Sequence, residues 1–246
     1  MKDTPKVVIV MPAYNAAKTV EKTYNAIPTQ YQKHILLIDD CSKDETVLVA
    51  KKLGIKVIRH EKNKGYGGNQ KTCYKEALNM GADIVVLLHP DYQYAPELIT
   101  AMVAMITSGI YDVVLASRIL TGDAKHSDMP RYKYISNRIL TNLENWLTGA
   151  KLSEYHTGYR AFSRRVLDSI DLSQNSDDFI FDNQMILQIM AKKMKLGEIS
   201  CPTKYFDEAS SINFSRSLRY GFGCLWWGFV YFLGRIDVYK SKLIYQ

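Results

Sequence analysis

Val7–Met11, Ile35–Ile38 and Ile84–Leu88 are apolar at every position, and each ends abruptly on polar side chains. Such runs lack the alternation of a half-solvated strand and predict parallel strands covered on both faces. Lys56–Arg59 and Val113–Leu115 are shorter candidates. Helical patterns follow the first two strands, over Lys18–Ala26 and Glu45–Leu53, so the N-terminal half alternates β and α. That order predicts an α/β fold with a doubly wound, mostly parallel sheet and helices on both faces.

Open sheets of this kind bind ligands where strands empty into loops, so the strand exits hold the candidate chemistry. The third run ends in His89, Pro90, Asp91, Tyr92 and Gln93. Asp91 there is suited to a divalent cation such as Mn2+ or Mg2+ that neutralises a diphosphate, with Gln93 as an oxygen ligand and His89 as a nitrogen ligand. After the second run, Ser42 and Asp44 stand where helix capping is needed. Asp39 and Asp40 are not explained by capping; two carboxylates closing a buried strand require a base NH, a ribose hydroxyl or a cation. The segment Asn63-Lys64-Gly65-Tyr66-Gly67-Gly68-Asn69 lies between the Lys56–Arg59 strand and a helix expected from about Gln70 to Met80. Its glycines permit close backbone approach and Lys64 can meet a phosphate, although an ordinary strand-to-helix turn has the same composition.

Taken in order, Pro12-Ala13-Tyr14-Asn15, the Asp39–Thr46 acidic loop, Asn63–Gly68 and His89–Gln93 resemble the family 2 glycosyltransferases of GT-A fold. Within that family the resemblance is greatest to the dolichyl- or polyprenyl-phosphate sugar synthases. It continues through Asp112–Arg118, Thr157–Phe162 and Phe181–Met185, and so spans about residues 5 to 212. The resemblance implies that Pro12, Tyr14, Asn15 and Asp40 cradle the base and ribose of a nucleotide sugar, and that Asp91 with Gln93 holds the metal. The family's D-x-D has become His89-Pro90-Asp91. His89 therefore either ligates the metal through nitrogen, or contacts the nucleotide or caps the strand.

The resemblance also implies that Arg118 and Arg131 hold a lipid phosphate, for which a guanidinium fork is suited. Arg160, in an apolar Tyr-Arg-Ala-Phe setting, needs an acidic group or a phosphate as partner and joins them as a candidate acceptor ligand. Arg138, Arg164 and Arg165 read as surface charges. Asp182 is the candidate general base for a hydroxyl acceptor, or simply a carboxylate in the first turn of a helix reaching about Lys193; an ionised phosphate acceptor needs no base.

Composition refines this little. The 246-residue chain suffices for one substantial α/β core, and its net charge of +7 favours an anionic partner. The basic residues are scattered and accompany no nucleic-acid motif, which leaves phosphorylated substrates and anionic lipid. Cys41, Cys73, Cys201 and Cys224 have no metal or disulfide spacing and read as reduced thiols. Met1–Pro5 runs directly into the first strand, so no leader is expected and the setting is cytoplasmic. From Tyr220 to Gly234 no residue is charged, aromatics crowd together, and Arg216, Arg219, Arg235 and Lys240 flank them. The run is shorter than the roughly 20 residues of a spanning helix and predicts a helix lying in the membrane interface, or one packed on the core or a second subunit.

These readings together give a catalytic domain over residues 1–212, with a C-terminal interfacial helical segment over 213–246. The expected activity is inverting sugar transfer from a UDP- or GDP-sugar to a polyprenyl phosphate at the inner membrane face. A transferase acting on a glycan hydroxyl and a non-catalytic nucleotide-sugar-binding protein are the alternatives. The sugar, the nucleotide and the oligomeric state are not legible.

Overall fold

The computed structural model describes residues 4–120, 129–204 and 214–245. Seven strands form one sheet: β1 Val7–Ala13, β2 Ile35–Asp39, β3 Lys56–Arg59, β4 Ile84–Leu87, β5 Val113–Ser117, β6 Arg160–Ser163 and β7 Leu196–Ser200. Their order is β3-β2-β1-β4-β6-β5-β7. All neighbours are parallel except those of β6, which runs antiparallel between β4 and β5. The expected doubly wound sheet is present, with one reversed strand inserted.

Both faces of the sheet are covered, which is why β1 has no polar side to show. Val7, Ile9, Met11 and Ala13 pack with one apolar layer, which includes Val20, Ala50, Ile99 and Met102 from α1 (Val20–Ala26), α2 (Thr46–Lys52) and α4 (Ile99–Thr107), and Ile27 just after α1. Val8 and Val10 pack with the opposite layer. That layer receives Cys73, Tyr74 and Ala77 from α3 (Gly65–Asn79), Val166 from α6 (Arg164–Ser169), and Phe181, Met185, Ile186 and Ile189 from α7 (Phe181–Ala191). Each such aliphatic side chain stabilises the fold by roughly 1.5–3 kcal/mol when fully buried.

Two long helices stand outside this plan. α5 spans Arg131–Thr148 and ends on Gly149, whose φ of 72° closes the helix in the left-handed conformation. α8 spans Phe214–Arg235 and packs on α5 and α7. Its inner side buries Cys224, Val230 and Tyr231, while Leu218, Phe222, Trp226 and Phe229 remain exposed. The expected boundary at 212/213 lies outside the described residues. Among the described residues no helix is long and apolar enough to cross a membrane.

Candidate functional site

β1 and β4 are adjacent, but the chain leaves them in opposite directions, β1 toward β2 and β4 toward β5, which lies beyond β6. A crevice opens where such connections diverge. Here it is a cleft of about 1610 Å³, whose inner end is lined by Pro12 at the end of β1, Tyr14 and Asn15 after it, and His89, Asp91 and Gln93 after β4. The strand exits are tightly bent: Asn15, Cys41 and Tyr92 take φ values of 54°, 66° and 57°. Non-glycine residues adopt that region at a cost, so neighbouring contacts must hold these loops. Asn15 N–H donates to Ser42 Oγ at 2.8 Å, and Asn15 Oδ1 accepts from Lys43 N–H at 2.8 Å, locking the β1 loop to the β2 loop. Asp44 accepts from Ala17 N–H and Thr46 N–H, both at 3.0 Å, and so joins the same loops while serving the first turn of α2.

The two carboxylates after β2 divide their work. Asp40 lines the cleft, with Oδ1 accepting from Lys64 N–H (2.8 Å) and meeting His60 Nδ1 (2.8 Å), and Oδ2 accepting from Gly65 N–H (3.0 Å). It draws its partners from the protein itself. Asp39 does not reach the cleft: it is fully buried, its Oδ2 accepts from Ser42 N–H and lies 3.3 Å from Arg59 Nε, and its Oδ1 has no hydrogen-bond partner. The expected nucleotide contact by Asp39 is thus replaced by closure of the loop beneath the cleft.

The glycine segment also differs from expectation. α3 begins at Gly65 rather than near Gln70, so the glycines form its first turn. What approaches them closely is the chain before α7: Gly67 N–H donates to Asp177 O at 2.8 Å, and a Cβ on Gly65 would stand 2.6 Å from that oxygen. Gly65 remains at the cleft wall, whereas Lys64 is exposed and lies outside the lining.

Tyr66, to which the sequence assigns no role, organises the part of the cleft next to His89. Its ring stacks on His89 with centroids 5.5 Å apart, and its hydroxyl donates to Asp182 Oδ2 at 2.7 Å. Burial, reinforced by Asp182, raises the phenol well above its ordinary value, so it keeps the proton it donates. The same hydroxyl oxygen lies 3.3 Å from His89 Nε2. With its one proton committed to Asp182, Tyr66 accepts from His89, which makes Nε2 the protonated nitrogen and leaves the Nδ1 lone pair available. Burial lowers the His89 pKa, against the opposing pull of Asp91 and Asp182, in keeping with a neutral ring. Gly158 admits that ring, because a Cβ there would lie 2.9 Å from it. Asp91 is half-buried in the cleft and its Oδ1 accepts from Gln93 N–H at 3.1 Å. A carboxylate at a half-open position beside an amide side chain is a hard oxygen donor set, compatible with Mg2+ or Mn2+.

The three proposed acceptor arginines separate. Arg160 is wholly buried and outside the cleft lining. Its Nε donates to Thr157 O, its terminal nitrogens to Tyr155 O and Asp182 O, and the Asp182 carboxylate lies 3.5 Å away. It therefore finds the acidic partner its setting required, and it is buried away from the cleft where an acceptor phosphate would lie. Arg118 lines the cleft, but its guanidinium is paired with buried Glu154, Nε to Oε1 at 2.8 Å, and also donates to His156 O. Burial alone would raise the Glu154 carboxyl; the Arg118 charge and the hydrogen bonds outweigh it and hold the pKa below the ordinary value. Arg131, the first residue of α5, is exposed and outside the lining, while Lys133, two residues on, belongs to it. Arg138 donates to Ser153 O, as befits a structural surface charge.

The outer half of the cleft carries many apolar side chains, set among polar ones such as Lys133, Asn137 and Arg216. Tyr132, Ile135, Ile139, Leu143 and Trp146 recur every three or four residues along α5 and are all exposed. Beside them on α8 stand Leu218, Phe222, Trp226 and Phe229, with Trp146 stacked on Phe232 at 6.1 Å. Tyr132, Ile139, Leu143, Leu218 and Phe222 also line the cleft, so its wall continues into a two-helix surface rich in exposed apolar side chains. The i, i+3, i+4 spacing in Arg131–Thr148 was a legible signal of this face.

A family model described as glycosyl transferase family 2 matches residues 8–171. Over 216 residues the chain is 27% identical to a UDP-N-acetylglucosamine–dolichyl-phosphate N-acetylglucosaminyltransferase of Methanococcus voltae, covering 81% of this chain and 86% of that one. It is 26% identical to a polyprenol monophosphomannose synthase of Mycolicibacterium smegmatis over 183 residues, 70% of this chain and 67% of the relative. Among solved structures, glucosyl-3-phosphoglycerate synthase of Mycobacterium tuberculosis with uridine diphosphate superposes with a TM-score of 0.69 at 16% identity, over 98% of this chain and 83% of that one. The same enzyme with Mn2+, uridine diphosphate and its product superposes at 0.66 and 13% identity, over 98% and 83% of the two chains.

Proposed function

The chain belongs to glycosyltransferase family 2 and has the GT-A fold, and from that premise we propose that it moves a sugar from a UDP- or GDP-sugar to a polyprenyl phosphate, with inversion, at the inner face of the membrane. The observation that carries the acceptor is the continuity of a polar, aspartate-bearing cleft with the exposed apolar faces of α5 and α8. A hydrophilic acceptor would gain nothing from that floor, whereas an isoprenoid chain buries apolar area against it. The names of the Methanococcus and Mycolicibacterium relatives point the same way.

In this reading Pro12, Tyr14, Asn15 and Asp40 hold the base and ribose. Asp91 and Gln93, with His89 Nδ1 as the nitrogen donor its tautomer leaves open, hold Mn2+ or Mg2+ on the diphosphate. The cation supplies positive charge where the leaving diphosphate becomes more negative. The acceptor phosphate oxygen attacks the anomeric carbon from the face opposite the diphosphate, and the bond from that carbon to the diphosphate oxygen breaks. Lys133, Arg216 and, while bound to Glu154, Arg118 are the cations of the cleft lining available to the acceptor phosphate. Asp182 has one oxygen occupied by Tyr66 and the other facing Arg160, which suits an acceptor that arrives without a proton to lose. Residues 213–246 serve as the membrane-facing segment together with α5.

Thermal melting with UDP- and GDP-sugars tests the donor half, because a ligand bound only by the native state raises the midpoint. One nucleotide class should stabilise the wild type more with Mn2+ than without, and Asp91→Asn should lose that increment while melting at the wild-type temperature when unliganded. A metal-dependent shift undiminished in Asp91→Asn would remove Asp91 from the site.

A further inference from the structure

Behind the acceptor end of the cleft, three side chains of the kinds that bind transition metals converge from separate elements. Glu144 of α5, His156 of the loop before β6 and Cys224 of α8 bring one ligand atom each to within 4.8 Å of one another. Glu144 and Cys224 are buried, and the His156 side chain is 9% exposed. Glu144 Oε2 and His156 Nε2 lie 3.1 Å apart, a charge pair where the ring is protonated, and neither atom makes a hydrogen bond. With a neutral ring both buried atoms lack a partner, and one shared cation would satisfy both.

We propose that Glu144 Oε2, His156 Nε2 and Cys224 Sγ bind one Zn2+ ion, at a structural site separate from the Asp91 carboxylate. Three arguments select the ion. A thiolate beside imidazole and carboxylate is a mixed S/N/O set, which suits Zn2+ and disfavours Mg2+ or Mn2+. A carboxylate and a thiolate offset the double charge, so the loaded site is neutral, as burial demands. The outer contacts are those that orient ligands: His156 Nδ1 lies 3.0 Å from Tyr220 OH, and the Asn183 amide donates to Glu144 Oε1. Loading expels the thiol proton, and the imidazole proton where His156 is charged, to solvent. Three protein ligands leave a fourth position for one bound water, on the side where His156 lines the cleft. The ion ties α8 to α5 and to the loop before β6, and so braces the wall that carries Tyr220 and the apolar floor.

The test uses the full chain purified without a histidine tag. Elemental analysis after desalting should find about one zinc per chain in the wild type and in Asp91→Asn, because the two sites are separate. Cys224→Ala and Glu144→Gln should weaken zinc binding in competition with a chromophoric chelator. The loss should reach roughly a hundredfold, the upper end of what even outer-contact changes cost. Cobalt replacement decides the matter in the wild type alone: tetrahedral d–d bands with a thiolate-to-cobalt charge-transfer band are expected. Sub-stoichiometric zinc, or a cobalt spectrum without the thiolate band, would overturn the site and leave a direct His156–Glu144 ion pair in its place.

Discussion

Arg118→Ala distinguishes a cation held for the fold from one held for a ligand. Arg118 Nε stands 2.8 Å from Glu154 Oε1, and the Glu154 carboxylate is fully buried. Removing one partner of a buried ion pair costs about 3–5 kcal/mol, because the other charge stays behind without compensation. Two donors to that carboxylate survive the change, the Arg118 backbone N–H at 2.8 Å and Asn137 Nδ2 at 2.9 Å. The loss should therefore fall near 3 kcal/mol, about a 150-fold shift in the unfolding equilibrium. Urea unfolding at neutral pH measures it. Adding Glu154→Gln to Arg118→Ala should restore at least about 1 kcal/mol, the coupling expected of contacting residues. The pH dependence has a defined sign. Glu154 has a lowered native pKa, so its contribution is complete above its ordinary value of 4.5 and is lost as the pH falls through the lower native one. Glu154→Gln should lack that acid-dependent loss. An Arg118→Ala protein within about 0.5 kcal/mol of wild type, the range of ordinary surface changes, would refute the pairing and return Arg118 to the acceptor phosphate alone.

Three further substitutions probe the buried pair and the exposed helix face. Asp182→Asn leaves Arg160 buried without its counter-charge, so unfolding should become easier by about 3 kcal/mol while turnover of the folded protein changes only a few-fold; a fall of a hundredfold or more in kcat with stability intact would make Asp182 a general base for a hydroxyl acceptor. Phe222→Asp and Trp226→Asp, both on the exposed face of α8, should each weaken sedimentation with anionic liposomes by about tenfold or more, since each side chain contributes more than 1.4 kcal/mol when buried in lipid; wild-type binding in both variants would show that this face meets something other than a membrane.

The sheet was legible because two covered faces force uninterrupted apolar runs, and β1, β2 and β4 are such runs. β6 was not, since Arg160 opens it and a charged first residue hides a buried strand unless its partner is known. Asp182, the partner, is 22 positions away. The same distance problem hid the partners of Arg160 and Arg118: Asp182 and Glu154 reach them only through the fold, which buries Arg160 away from the cleft and leaves Arg118 in its lining. Asp39 and Asp40 were rightly marked as needing partners, yet for Asp40 these are backbone N–H groups of Lys64 and Gly65 that no spacing rule reveals. The glycines of α3 signalled close approach, and the approaching group is the Asp177 carbonyl. The apolar stripe of α5 was present in the sequence at helical spacing, obscured by attention to its arginines.

Transfer itself is the most direct test. The full chain would be incubated with Mn2+, tritiated UDP- and GDP-sugars, and anionic liposomes carrying either a polyprenyl phosphate or the matching phosphate-free polyprenol. The account predicts label in the lipid fraction with the phosphate acceptor only, released as free sugar by mild acid, and supported by a single nucleotide class. Equal labelling of the phosphate-free polyprenol, or label confined to a water-soluble glycan, would contradict it.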